Sequence, residues 1–298
     1  MKRLTILGMT KKCLAVLSAL YAEYPGLVDI VVCAHDDTLD NDFYDDIRDL
    51  CRSNTTRFCD RRDLGSIATQ YAIAVSWRWM IVPGPSKLIV LHDSLLPSYR
   101  GFFPLATALI NGDEEIGVTA LYAAKEYDRG EIIAQSVSRI AYPIKIKDAI
   151  DVVTRNYQEL ALHLAAAMHS GREFDSTPQD ERRATYSLWR DEDDFFIDWS
   201  ASADYIRRFV DALGSPYRGA ATVVGGNVAR VLESTVLDDV EVANRTPGKV
   251  IFVRESKPVV VCGQGLLRID ALVDDKGRSL LPLPGIRVRF RGFSERRA

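Results

Sequence analysis

Near-continuous apolar runs alternate with amphipathic stretches through the first half of the chain. Residues 3–9 (RLTILGM), 28–35 (VDIVVCAH), 71–81 (YAIAVSWRWMI) and 88–92 (LIVLH) are the apolar runs. Such runs are expected of strands covered on both faces, as in a parallel sheet. Between them, residues 13–24 carry Leu14, Leu17 and Leu20 on one helical face. Residues 41–51 form a second amphipathic segment, with Asn41 as its expected N-cap. The alternation predicts an α/β domain, a Rossmann-like and mostly parallel sheet with helices on its faces. Ligands in such sheets sit beyond the carboxyl ends of the strands, which here are Gly8, residues 77–81 and His92. The turn after the first strand holds a single glycine and lacks GxGxxG, so a dinucleotide site is not supported.

The pattern changes further on. Residues 147–168 predict one long helix, with Ile150, Val153, Tyr157, Leu160, Leu164 and Met168 near one stripe and Gly171 as its stop. The polar stretch 172–184 (REFDSTPQDERRA) reads as a linker. A helix is expected over 202–213. After it come short strands within 219–226, 229–237, 247–255, 258–272 and 286–293, punctuated by Gly and Pro. That spacing predicts a small open β-barrel, OB-like. Two domains are therefore expected, residues 1–180 and residues 181–298.

Composition narrows the function classes. The net charge of −3 does not favour a large nucleic-acid footprint. The cluster Arg287, Arg289, Arg291, Arg296 and Arg297 is a local exception, in which Arg287, Arg289 and Arg291 alternate with Val288 and Phe290 and read as the solvated face of a strand. No apolar run approaches the ~20 residues of a membrane span. The five cysteines show no CxxC and the four histidines no HExxH. Reduced thiols, a cytoplasmic protein and no metal site are expected. His163 and His169 read as surface or cap residues of the long helix.

One stretch does not suit a strand that only fills a core. Residues 88–101 read LIVLHDSLLPSYRG, so a buried strand ends in His92-Asp93-Ser94 and runs into a loop set by Pro97 and Gly101. Asp128 follows the strand-like GVTALYAA within KEYDRGEIIAQ. An imidazole and a carboxylate are thereby expected at one rim of the sheet. Ser94 is expected to shape the loop, because there is no GxSxG elbow.

HDSLLPSYRGFFP followed by INGDEEIGVTALYAAKEYDRGEIIAQ resembles the formyltransferases that use 10-formyltetrahydrofolate. The stretches TYSLWRDEDDFFIDW, SPYRGA, PGKVI and GQGLLRI resemble the C-terminal module of the methionyl-tRNA and amino-sugar formyltransferases. The resemblance implies a catalytic His92 and Asp128. It implies folate contacts from Trp79, Met80, Tyr122, Lys125 and Tyr127, while Trp77 by itself reads as core packing. It implies acceptor contacts from Asp93, Ser94, Tyr99 and Arg100, where Arg100 either meets a phosphate or fixes the loop. 10-Formyltetrahydrofolate is the implied co-substrate, and a homodimer through the second domain is the family's habit.

The sequence departs from the family at Val90, where the family has a catalytic Asn. Three readings follow: another polar group (Asp93, Ser94 or Ser76) takes its place, His92 carries the oxyanion alone, or the protein is a weakened or non-catalytic relative that binds folate and sugar. The expected acceptor is the primary amine of a nucleotide-linked amino sugar, used for surface polysaccharide. Methionyl-tRNA is the alternative, and it would need a basic surface.

Overall fold

The computed structural model describes residues 4–36, 41–81 and 86–293. Two compact units emerge. The first gathers Met1–Leu105, Glu115–Ile140 and Ile150–Ser187; the second gathers Ala106–Glu114, Ala141–Ala149 and Leu188–Ala298.

In chain order the first part of the molecule runs β1 (Leu4–Gly8), α1 (Thr10–Glu23), β2 (Val28–Cys33), α2 (Tyr44–Ser53), β3 (Arg57–Asp60), β4 (Tyr71–Val75) and β5 (Lys87–His92). Then follow β6 (Arg100–Gly101), α3 (Pro104–Asn111), β7 (Glu115–Tyr122), β8 (Ile132–Arg139), α4 (Ile146–Ser170) and β9 (Tyr186–Ser187). Seven strands form one sheet in the order β3-β2-β1-β4-β5-β7-β8. The pairings from β3 to β5 are parallel, and those of β5 with β7 and β7 with β8 are antiparallel. Every residue of β1 and β4 is buried, which is why both read as unbroken apolar runs. The chain leaves β1 toward β2 and β3 and returns to β4. The strand order therefore reverses between β1 and β4, the place where open α/β sheets bind ligands.

The second unit holds α5 (Ala203–Ala212), β10 (Ala220–Val224), β11 (Asn227–Leu237), β12 (Val250–Arg254), β13 (Lys257–Val261), β14 (Leu266–Val273) and β15 (Phe290–Arg291). Its sheet has the open order β12-β13-β14-β11-β10-β15, all antiparallel, a half-barrel that matches the expected small barrel. The Ser202 hydroxyl accepts a hydrogen bond from the Tyr205 amide and starts α5, whose Ile206, Phe209 and Val210 are buried.

Several expectations are corrected. The run 71–81 is a strand only to Val75, because Ser76 turns into left-handed backbone at φ 50°. The second helix begins at Tyr44. Asn41 instead accepts from the Phe43 amide at 2.9 Å, and Phe43 is left-handed at φ 61°, so the chain makes a turn before it can wind. The run 258–272 splits into β13 and β14 around Gly265 at φ 81°. Of 286–293 only Phe290–Arg291 is a strand, while Arg296 and Arg297 lie outside the described residues. The polar stretch 172–184 is not a free linker. Thr177 exchanges two backbone hydrogen bonds with Ile132, and Gln179 and Glu181 hold Arg100. The strands β3 and β8 are additions to the sequence reading.

Candidate active site

Three strand ends bring polar groups to one rim of the seven-stranded sheet. The first turn of α1, just past β1, carries Lys12, Ser76 follows β4, and His92 ends β5. Val75 pairs with Leu91, the last pair of β4 with β5, and Ser76 and His92 each follow one residue later. The register of β5 with β7 sets His92 opposite Thr119.

The loop after His92 is built by Thr119 and Gln135. The Thr119 hydroxyl donates to Ser94 O at 2.6 Å and accepts from the Leu96 amide at 3.1 Å. The Gln135 amide donates to Leu96 O at 2.9 Å. Ser94 donates its hydroxyl to Ser98 O at 2.7 Å, which is the loop-shaping role its sequence context predicted. Arg100 is fully buried, and its guanidinium donates to Gln179 Oε1, both Glu181 oxygens and the Tyr186 hydroxyl at 2.7–3.3 Å. The fork thus secures the loop, and its contacts hold the Glu181 carboxyl below its ordinary value. Gln179 turns its own amide hydrogens to Asp128 O and Gly130 O, both at 2.8 Å. Arg100 and the Asp128 turn are therefore tied through one side chain.

His92 and Asp128 meet. Their Nδ1 and Oδ1 atoms are 3.5 Å apart, and the side chains are 9 % and 12 % exposed. The second carboxylate oxygen accepts from the Gly101 amide at 2.8 Å, which leaves Oδ1 as the oxygen facing the ring. Nε2 lies 2.9 Å from Tyr99 O. A carbonyl can only accept, so Nε2 carries a proton and Nδ1 is the nitrogen that faces the carboxylate. Tyr99 at φ 60°, Asp128 at φ 57° and Ser76 at φ 50° are non-glycine residues held in left-handed backbone. Each such conformation costs about 1–3 kcal/mol and persists where the surroundings over-determine it, as at active sites.

Asp93, the residue after His92, pairs with α1. Lys12 Nζ donates to its Oδ2, and the Asp93 side chain is 20 % exposed. Burial pushes the Asp93 carboxyl up, but the Lys12 ammonium, the Tyr157 hydroxyl and His92 together hold the group below its ordinary value. The Tyr157 hydroxyl donates to Leu91 O at 3.0 Å, with Asp93 and the Ser76 hydroxyl beside it. Burial and the Asp93 charge push that phenol well up.

The remaining expected residues are more scattered. Trp77 packs on the Leu7, Val32, Ile67 and Ala72 cluster, and its indole Nε1 is buried without a hydrogen-bond partner among the described residues. Trp79 packs edge-on to Trp77 at 5.2 Å, with the Arg61 guanidinium 4.3 Å from its ring centroid. Met80 is 75 % exposed. Tyr127 is exposed and packs against Phe102 at 6.0 Å, beside Gly101. Lys125 is exposed on the same loop. Tyr122 pairs with Ile89, three positions before His92, and interacts with Lys87, Tyr71 and Glu173. It is not gathered with the His92 cluster. Val90 is half-buried between Ala74 and Leu121 on the neighbouring strands, and offers no hydrogen bond. Lys12, Tyr157 and Gln179 escaped the sequence reading; Lys12 alone had a signal, its place just past the first strand.

Comparison with known proteins agrees with this architecture. The chain resembles HypX from Aquifex aeolicus (20 % identity, TM-score 0.61), covering 93 % of this chain and 45 % of that one. It thus spans less than half the length of HypX. It resembles the N-formyltransferase from Helicobacter canadensis solved with folinic acid and dTDP-3-aminofucose (16 %, TM-score 0.69; 90 % of this chain, 99 % of that one). It also resembles the methionyl-tRNA formyltransferase from Clostridium thermocellum (14 %, TM-score 0.56; 80 % and 94 %). These likenesses show a shared fold. Residues 79–164 match the family described as formyl transferase and residues 190–282 match the formyl transferase C-terminal domain. With both domain types matched in order along one chain, this protein belongs to the formyl transferase family.

Proposed function

We propose that the protein is an N-formyltransferase that moves a formyl group from 10-formyltetrahydrofolate to the primary amine of a nucleotide-linked amino sugar. The observation that carries this reading is the His92–Asp128 pair, with one carboxylate oxygen held by the Gly101 amide and the other 3.5 Å from the imidazole. A reacting centre beside that gap is within reach of both groups, and such distances tighten when substrate binds.

The folate fits the rim on one count visible in this chain. The buried Trp77 Nε1 after β4 is an unpaired donor, and a pterin is rich in acceptors. The formyl donor brings an activated one-carbon group. The residues do the rest. Asp128 Oδ1 takes a proton from the amine as its nitrogen bonds to the formyl carbon. His92 contacts the oxygen that gains negative charge. When the carbon–N10 bond breaks, its electron pair goes to N10, which receives the proton that the amine gave up. Val90 supplies no donor to the oxyanion, and the Ser76 hydroxyl, one residue past the last β4–β5 pair, takes that part.

Two features support the sugar acceptor. The net charge of −3 opposes the broad phosphate contact that tRNA needs. The fold is shared with the Helicobacter canadensis enzyme. A cytoplasmic location, a homodimer and a part in surface-polysaccharide synthesis belong to the same proposal. The test is a formylation assay on a panel of nucleotide amino sugars and charged initiator tRNA. Formylated sugar is expected, falling at least about a hundredfold in His92→Asn and Asp128→Asn. Formylated tRNA, with binding that weakens steeply in salt, would give the role to the other acceptor. No transfer to either would leave a binding protein.

A further inference from the structure

The Lys12–Asp93 ion pair has no part in the transfer steps, yet it is anchored one residue past the imidazole. Asp93 follows His92 directly in the chain, and the two interact electrostatically. Lys12 is 12 % exposed, and its ammonium is also 5.4 Å from the Tyr157 ring centroid. The groups linked to the imidazole, directly or through Asp93, come from four elements and the loops between them. Asp128 faces Nδ1 and the Tyr99 carbonyl accepts from Nε2. Asp93 continues β5, Lys12 comes from α1, the Tyr157 hydroxyl from α4, and the Ser76 hydroxyl from the end of β4. The charges among them are two carboxylates and one ammonium, since burial keeps the phenol neutral.

We propose that Lys12 and Asp93 are a positioning pair for His92, in which the ammonium cancels the Asp93 charge so that the imidazole responds to Asp128 alone. The proposal rests on the formyl-transfer reading only for its consequence in catalysis. The electrostatics follow from geometry. An uncancelled Asp93 favours the doubly protonated ring, and an uncancelled Lys12 disfavours it. A doubly protonated ring beside a neutralised Asp128 would hold the proton that the amine must lose.

The test titrates the His92 ring by NMR in the free protein, with ¹³C-labelled histidine and the His92 signal assigned by its loss in His92→Gln. Lys12→Met is expected to raise the titration midpoint by about one pH unit, and Asp93→Asn to lower it by about as much. The Lys12→Met/Asp93→Asn double variant is expected to return to the wild-type midpoint, and Lys12→Arg to stay there. Shifts of both single variants in one direction, or no shift in either, would overturn the proposal by reducing the pair to a mechanical strap. If Lys12→Met does not fold, Lys12→Arg and Asp93→Asn decide the matter. The ring is read without folate or acceptor, so failure here is separate from failure of the activity assay.

Discussion

Position 90 shows how a single side chain tests the mechanism. Val90 lies two residues before His92 on the same strand, so an amide there would face the same side of the sheet as the imidazole. The Ser76 hydroxyl, one residue past the last β4–β5 pair, is the group proposed to replace that amide. Ser76→Ala should therefore lower kcat about a hundredfold with KM little changed, the usual cost of one lost oxyanion donor. Adding Val90→Asn to Ser76→Ala should restore most of that loss, while Val90→Asn alone should change kcat by less than about tenfold. A large gain from Val90→Asn alone would mark the natural protein as a weakened enzyme. His92 and Asp128 could be found in the sequence because one ends an apolar run and the other follows the next strand at a familiar spacing. Lys12 is 81 positions from Asp93, and only the closing of the sheet makes them neighbours.

At the scale of elements, the site depends on how the loop after β5 and the turn after β7 are locked together. Gly130 marks one lock. A Cβ there would lie 1.7 Å from Tyr122 O, inside any allowed contact. Gly130→Ala must displace the turn that carries Asp128, and the expected result is loss of formyl transfer with a lowered thermal midpoint. Retained activity in Gly130→Ala would show that the turn is not what places Asp128. The segment 172–184 illustrates why polar composition misleads. Its Gln179 and Glu181 are polar because they serve a buried guanidinium and the carbonyls of a tight turn. Composition signals a loop in either case, but not whether the loop is solvated or packed. The shortened β4 has a similar cause. Trp77 and Ile81 are apolar because they pack on the sheet's core cluster from outside the strand.

At the scale of the whole molecule, buried thiols set an alkaline limit to stability. Cys13, Cys33 and Cys262 are fully buried, and burial pushes the Cys33 and Cys262 thiols up to about 12 from an ordinary 9.0. Below pH 9 the thiols are protonated in both states and the contribution is complete. Above it the unfolded chain ionises first, so stability falls as pH rises toward 12. Each of these two thiols contributes a slope of roughly 1.4 kcal/mol per pH unit in that window. The urea midpoint should therefore decline steadily from pH 9 upward, and Cys33→Ser/Cys262→Ser should flatten the decline. An unchanged slope in that variant would place the alkaline loss elsewhere. The α/β alternation, the antiparallel second module and the strand-end His92 were determined by the sequence alone. They rest on local periodicity and on what a buried strand excludes. The Lys12–Asp93 pair, the internal use of Arg100 and the placing of Tyr122 away from His92 were decided only by tertiary structure. Strand order and register bring distant residues together or hold near ones apart, and no local pattern encodes either.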